Sequence, residues 1–319
     1  MGSSKQRLQG LQDYFKTNNK IKEFRPHQQK VHSVRFNCDG KKLASGSNDK
    51  TVVVYSVDRD RITKDKSYHG HTGPVDQLIW HHTNADLLAT ASGDKSVRIW
   101  DTKIQKNVTT VNTKGENINI TWSRDGNTIA VGNKEDLITF IDTRTNKIRA
   151  EEKFNFEINE IMWNRTSDQM FLTSGQGSIH VLSYPNLEVL NVLKAHPATN
   201  ICIDFDPSGK YFAVGSADAL TSIWDADELA CIRVFSRLDW PVRTVSFSHD
   251  SKLIASASED HFIDISCIET GEKVYEIKLD AATFSIAFHP KQYLIAFACD
   301  DKKEDGRDAG NFKVFGFSE

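Results

Sequence analysis

Short apolar runs separated by polar turns fill this chain, and Gly70 to Asp101 shows one complete set. Gly70-His71 opens it, Val75-Asp76-Gln77-Leu78-Ile79-Trp80 reads as a first strand and Leu87-Leu88-Ala89-Thr90-Ala91 as a second. Ser92-Gly93-Asp94 then turns the chain into a third strand, Ser96-Val97-Arg98-Ile99-Trp100-Asp101. A sheet this small cannot bury both of its faces, so the pattern predicts neighbours.

The neighbours are visible as an aromatic ladder. Phe36, Trp80, Trp122, Trp163, Phe205, Phe247 and Phe288 end successive first strands at intervals of 41 to 44 residues. A fainter ladder marks the third strands at Tyr55, Trp100, Ile141, Leu182, Trp224, Ser266 and Phe315, and its last interval of 49 residues places an insertion near Asp300–Gly310. A Gly-His opening, a Trp-Asp close and this period are the marks of WD-repeat blades, and seven of them predict an all-β, seven-bladed β-propeller.

Nothing remains after Phe315 to supply the outermost strand of the last blade. Asn19–Phe24 is assigned to it, so that an N-terminal strand closes the ring and removes open edges. The expected division is therefore residues 1–18, a short amphipathic helix on the rim or a disordered arm, and residues 19–319, the propeller.

Within the blades, a polar chain is expected beneath the loops. Trp100 should donate its indole N–H to the Ser92 hydroxyl, Ser92 should bond His71, and Asp94 should accept the other imidazole proton. Blade five repeats the set as His196, Ser216, Asp218 and Trp224, and blade one as His27, Ser47 and Asp49 with Tyr55 in the Trp place. Blade six keeps Ser258 and Asp260 but has Leu238 at the His place; blades three (Asn133, Glu135, Ile141) and four (Ser174, Gln176, Leu182) have largely lost the chain. The repeat accounts for His71 and Asp94 better than a catalytic or metal pair does.

Composition narrows the function. The 319 residues carry a formal net charge of −3, so the whole molecule lacks the basic field that drives non-specific nucleic-acid binding, although local basic patches are allowed. Cys38, Cys202, Cys231, Cys267 and Cys299 form no C-x-x-C pair, which fits a reducing compartment and offers no zinc site. No apolar signal segment occupies Met1–Lys20 and no run is long enough to span a membrane, so a soluble intracellular chain is expected and the sequons at Asn107, Asn119 and Asn164 are discounted.

Phosphate loops, zinc-binding helices and nucleophile elbows are absent from the sequence, and no enzyme activity, cofactor or metal is expected. Asp300, Asp301, Glu304 and Asp305 read as a solvated loop neutralised by Lys302, Lys303 and Arg307, and His81-His82 as a polar surface turn. Loops on a rigid disc suit recognition. Ser236–Arg243 sets Trp240 beside Arg237, Asp239 and Arg243, residue types that dominate binding hot spots. Trp240 could equally turn inward to fill the room left by the missing polar chain. Lys114, Glu116 and Asn117 in blade three, and His261 in blade six, join the candidate partner surface.

Several blade-specific strings carry a closer resemblance. Val111–Ile120, Ile129–Lys134, Gly215–Leu220, Phe235–Arg243 and Ser256–Ile265 are similar to the family of THO complex third subunits, and the likeness runs from about Phe15 to Phe315. The resemblance implies a nuclear, non-enzymatic propeller that assembles with the large helical scaffold and coiled-coil subunits of THO. It further implies a role in nascent mRNA packaging and, within the transcription–export (TREX) assembly, in mRNA export. RNA contact is expected to be indirect, with no membrane and no small-molecule substrate. The alternative is a substrate receptor of a cullin-type ubiquitin ligase. Those receptors usually carry Trp-Asp-x-Arg, whereas here the strings read Trp100-Asp101-Thr102-Lys103 and Trp224-Asp225-Ala226-Asp227, and only Ile141-Asp142-Thr143-Arg144 retains the Arg.

Overall fold

Each residue of the first aromatic ladder is the last residue of an innermost strand, because a bulky ring there fills the wedge between two diverging blades. The computed structural model describes residues 2–58 and 61–318, and it arranges their strands as seven four-stranded antiparallel sheets. In blade two the strands run Val75–Trp80, Leu87–Ser92, Ser96–Asp101 and Lys106–Asn112 from the centre outward. The other blades repeat this order, and the long interval in the last one is a loop between Ile295–Cys299 and Phe312–Phe317.

Apolar side chains alternate to both faces of every sheet, so each sheet buries itself against two neighbours. Seven apolar clusters result, each spanning one joint. The joints are also hydrogen-bonded all the way round the centre. Gln77 Oε1 accepts from Ile120 N at 2.5 Å, Asn119 Nδ2 donates to Asn159 O at 3.0 Å, and Asn159 Nδ2 to Asn200 O at 3.1 Å. Asp204, Thr244, Ser285 and Arg35 O accept the corresponding N–H groups of Phe247, Ile286, Val34 and the Trp80 indole. Asn119, one of the sequon residues, is thus buried in a joint.

Lys20–Phe24 pairs antiparallel with Phe312–Phe317 and completes the seventh sheet, as the sequence requires. Before it, Gly2–Thr17 forms a helix against the outer strand of blade six, Lys273–Lys278. Phe15 is fully buried there, stacked on Phe315 and Tyr275, and Leu8 packs in the same cluster. The apolar residues of the terminal segment form the helix's docking face.

The His81-His82 turn is not the solvated turn its polarity predicts. His81 lies edge-on to Trp122, and His82 donates from Nε2 to Trp122 O at 2.7 Å, with burial pushing its pKa down to about 4. Gly126 in blade three has φ 75° and presses against the His81 ring, leaving no room for a Cβ. These histidines are packing residues of the joint between blades two and three.

Candidate functional site

The loops that enter each blade and the turns between its second and third strands share one face of the disc, called here the upper face. His71 stands on the entering loop of blade two, with Nδ1 at 2.8 Å from Asp94 Oδ2. Its Nε2 lies 2.7 Å from the Thr90 hydroxyl, which also accepts the Trp100 indole N–H at 3.0 Å. The hydroxyl joining His to Trp is therefore Thr90 and not Ser92. Ser92 lies two residues farther along the same face, at the strand end, where it donates to Gly73 O and accepts from Asp94 N to fix the loop. Burial lowers the His71 pKa against the opposing pull of Asp94.

The same correction holds in the other two blades. In blade one His27 Nε2 meets Ser45 Oγ at 2.8 Å and Nδ1 meets Asp49, while Ser47 bonds Gln29 O and Lys30 O. Burial pushes the Asp49 carboxyl up, but hydrogen bonds from His27 and Thr51 outweigh it and hold the group well below the usual range. Tyr55 is buried in the Trp place and its phenol is pushed up to about 12 by burial. In blade five His196 pairs with Asp218, but Val214 occupies the hydroxyl place. Ser222, directly across the strand pair, supplies the oxygen instead: it lies 2.7 Å from His196 Nε2 and accepts from Trp224 Nε1 at 2.8 Å. Ser216 serves the loop through Thr199 O.

Blade six replaces this chain with an ion pair. Arg237 reaches from the entering loop to Asp264, a buried carboxylate at the place of Ser222, and Asp264 also accepts from Ser266 Oγ at 2.6 Å. Leu238 is buried at the His place. Asp260 keeps its loop role, accepting from the backbone N–H groups of Asp239 and Trp240 at 3.0 and 3.1 Å. The two N–H groups pin the loop while the Trp240 side chain projects outward, 56 % exposed. It does not fill the core.

The remaining candidates separate into two places. Arg243 donates from two nitrogens to one oxygen of Glu259, Oε1, at 3.0 and 2.7 Å, and the exposed His261 follows two residues after Glu259 in the same turn. Blade three lies across the disc, separated from blade six by blades four and five on one side. There Lys114 pairs with Glu151 and Glu116 with Lys134. Asn117 is buried, donating to Ser96 O and accepting from Thr113, so it belongs to the joint with blade two and offers a partner nothing. Arg237 is likewise committed to Asp264. The exposed patch that remains around Trp240 consists of Asp239, Trp240, Arg243 and His261.

A second polar group occupies the central channel, a cavity of about 330 Å³ bounded by innermost strands of all seven blades. Glu160 accepts from Gln77 Nε2 at 2.7 Å, and burial pushes its pKa up to about 7; Asp204 is pushed up to about 6 by burial, with Arg35 opposing. Charged residues inside otherwise apolar innermost strands were the available sequence signal. Among the described residues no cluster of His, Cys, Asp or Glu is arranged to hold a metal, and all five cysteines are free thiols. In the last blade's loop Lys302 bridges Asp300 and Asp308, Arg307 pairs with Asp305, and Asp301 pairs with Lys313. No helix among the described residues is long and apolar enough to cross a membrane.

A closed ring of seven such sheets, with His–Asp pairs under its loops, defines a WD-repeat β-propeller. A solved propeller of the same kind, the Myceliophteria thermophila Cps50 (Swd1) β-propeller domain, superposes with a TM-score of 0.81 at 17% identity, over 93% of this chain and 100% of that one. Residues 27–298 match the THOC3 beta-propeller domain family. The chain is 49% identical to THO complex subunit 3 of Arabidopsis thaliana over 93% of its length and 95% of the relative's. It is 33% identical to the WD repeat-containing protein AAC3 of Dictyostelium discoideum, over 93% of this chain and 66% of that protein. The chain belongs to the THO complex subunit 3 family.

Proposed function

We propose that this chain is a non-enzymatic scaffold subunit of a THO complex, acting in the nucleus in nascent mRNA packaging and export and meeting the other THO subunits through the blade-six part of its upper face. Family membership over nearly the whole chain carries the reading. Trp240 supports the choice of face, because a large aromatic held outward by two backbone hydrogen bonds is preorganised to fill a partner's pocket at little entropic cost. Asp239, Arg243 and His261 supply the polar rim around it.

The test is co-purification of Trp240→Ala with the other THO subunits, read beside its melting temperature. An exposed side chain leaves no cavity, so folding should stay within about 0.5 kcal/mol of wild type while assembly weakens by about tenfold or more. Undiminished assembly would remove blade six from the interface. Failure of the wild-type chain to associate would overturn the scaffold reading itself.

A further inference from the structure

The outer edge of the disc differs between its two halves. Around blades one to three the side chains of Lys64, Lys103, Lys106, Lys147, Arg149 and Lys153 are exposed, and none makes an ion pair among the described residues. The carboxylates beside them are mostly engaged. Asp101 accepts the backbone N–H groups of Lys103 and Ile104, Asp142 pairs with Arg144, and Glu151 with Lys114, leaving Asp58, Asp65 and Glu152 against the six cations. Lys66, by donating to Gln105 O at 3.1 Å, ties the outer strand of blade one to the corner of blade two, so the basic surface is continuous there. On blades four and five the outer strands expose Val189, Leu190, Val192, Ile232 and Val234, beside turns carrying Glu188, Asp227 and Glu228, whereas on blades two and three the exposed apolar residues Ile104, Val108 and Ile148 are interleaved with the cations. A basic edge is therefore not imposed by the repeat.

We propose that the outer edge of blades one to three binds the phosphate backbone of a single-stranded nucleic acid. Unpaired, fully hydrated cations along a convex edge match a flexible polyanion, which can follow the curve and release counterions at each contact. No aromatic ring is exposed among them to stack a base, so recognition is independent of sequence. With a chain net charge of −3, attraction must be local to this edge, and that sets it apart from the field of the whole molecule. The proposal concerns the chain alone and stands apart from the assembly reading.

The experiment measures binding of a labelled oligouridylate to the full chain across a salt series. Contact with about four phosphates gives a log–log slope near −3, or about a 50-fold loss of affinity between about 50 and 200 mM salt. Lys106→Glu/Lys147→Glu/Arg149→Glu should weaken binding by about tenfold or more and flatten the slope. Lys194→Glu/Lys278→Glu/Lys291→Glu, an equal change of charge elsewhere, should stay within about threefold. Absence of salt-dependent binding, an equal loss in the second variant, or displacement by polyglutamate as readily as by oligouridylate would each overturn the proposal, the last by assigning the edge to an acidic protein.

Discussion

Thr90 is the single atom-scale junction of blade two, since one hydroxyl serves both the Trp100 indole and the His71 imidazole. Removing it strands two buried donors or acceptors at once. Thr90→Val, which preserves the shape, should cost about 2–4 kcal/mol, whereas Ser92→Ala, which removes the hydrogen bonds to Gly73 O and from Asp94 N at the strand end, should cost about 1 kcal/mol. Denaturant unfolding of the two variants checks the order, and Thr90→Ser should restore most of the loss. A larger cost at Ser92 would return the junction to the strand end. The sequence showed the His, the Asp and the Trp in blades two and five because each has a fixed offset in the repeat. It did not show the hydroxyl, because Thr90 and Ser92 share one face of a strand, and only strand pairing decides which meets the ring. Ser222 was harder still, since its strand is not the one that carries Thr90 and Ser45. Arg237 and Asp264 lay outside any repeat pattern, visible only as a charge on an apolar strand and an Arg one residue ahead of a missing His.

The strands were the most legible elements, for a physical reason: each aromatic of the first ladder ends an innermost strand, where a blade must fill a wedge of fixed size. The closing strand Lys20–Phe24 pairs in register with Phe312–Phe317. The terminal helix was less legible. Its apolar residues are sparse, and its stability comes from Phe15 entering the groove between blades six and seven, not from its own periodicity. A chain beginning at Arg25 loses both elements, uncovering Phe315 and Tyr275 and freeing one edge of the strand Phe312–Phe317. It should melt well below the full chain and aggregate on warming, as open edges do. Light scattering during a thermal ramp checks this, and unchanged melting would mean that the ring holds without its closing strand.

At the scale of the whole molecule the seven sheets meet in one place only, the central channel, and its charges bear on all of the joints together. Gln77 links blades two and three through Ile120 N and reaches blade four through Glu160, so protonation of Glu160 is coupled to how three innermost strands are held. Burial raises the Glu160 pKa from 4.5 to about 7, which means that its ionised form is disfavoured by folding. The sign follows from linkage: the contribution to stability is fully present below the ordinary carboxylate value and is lost as pH rises through the folded value. Glu160→Gln keeps an oxygen for the Gln77 amide and removes the charge. At about pH 8 it should stabilise the chain by about 1–2 kcal/mol, and the advantage should vanish near about pH 4, where the wild-type group is also neutral. Melting temperatures of the two proteins across that range test it. Parallel curves would show that the channel solvates the carboxylate.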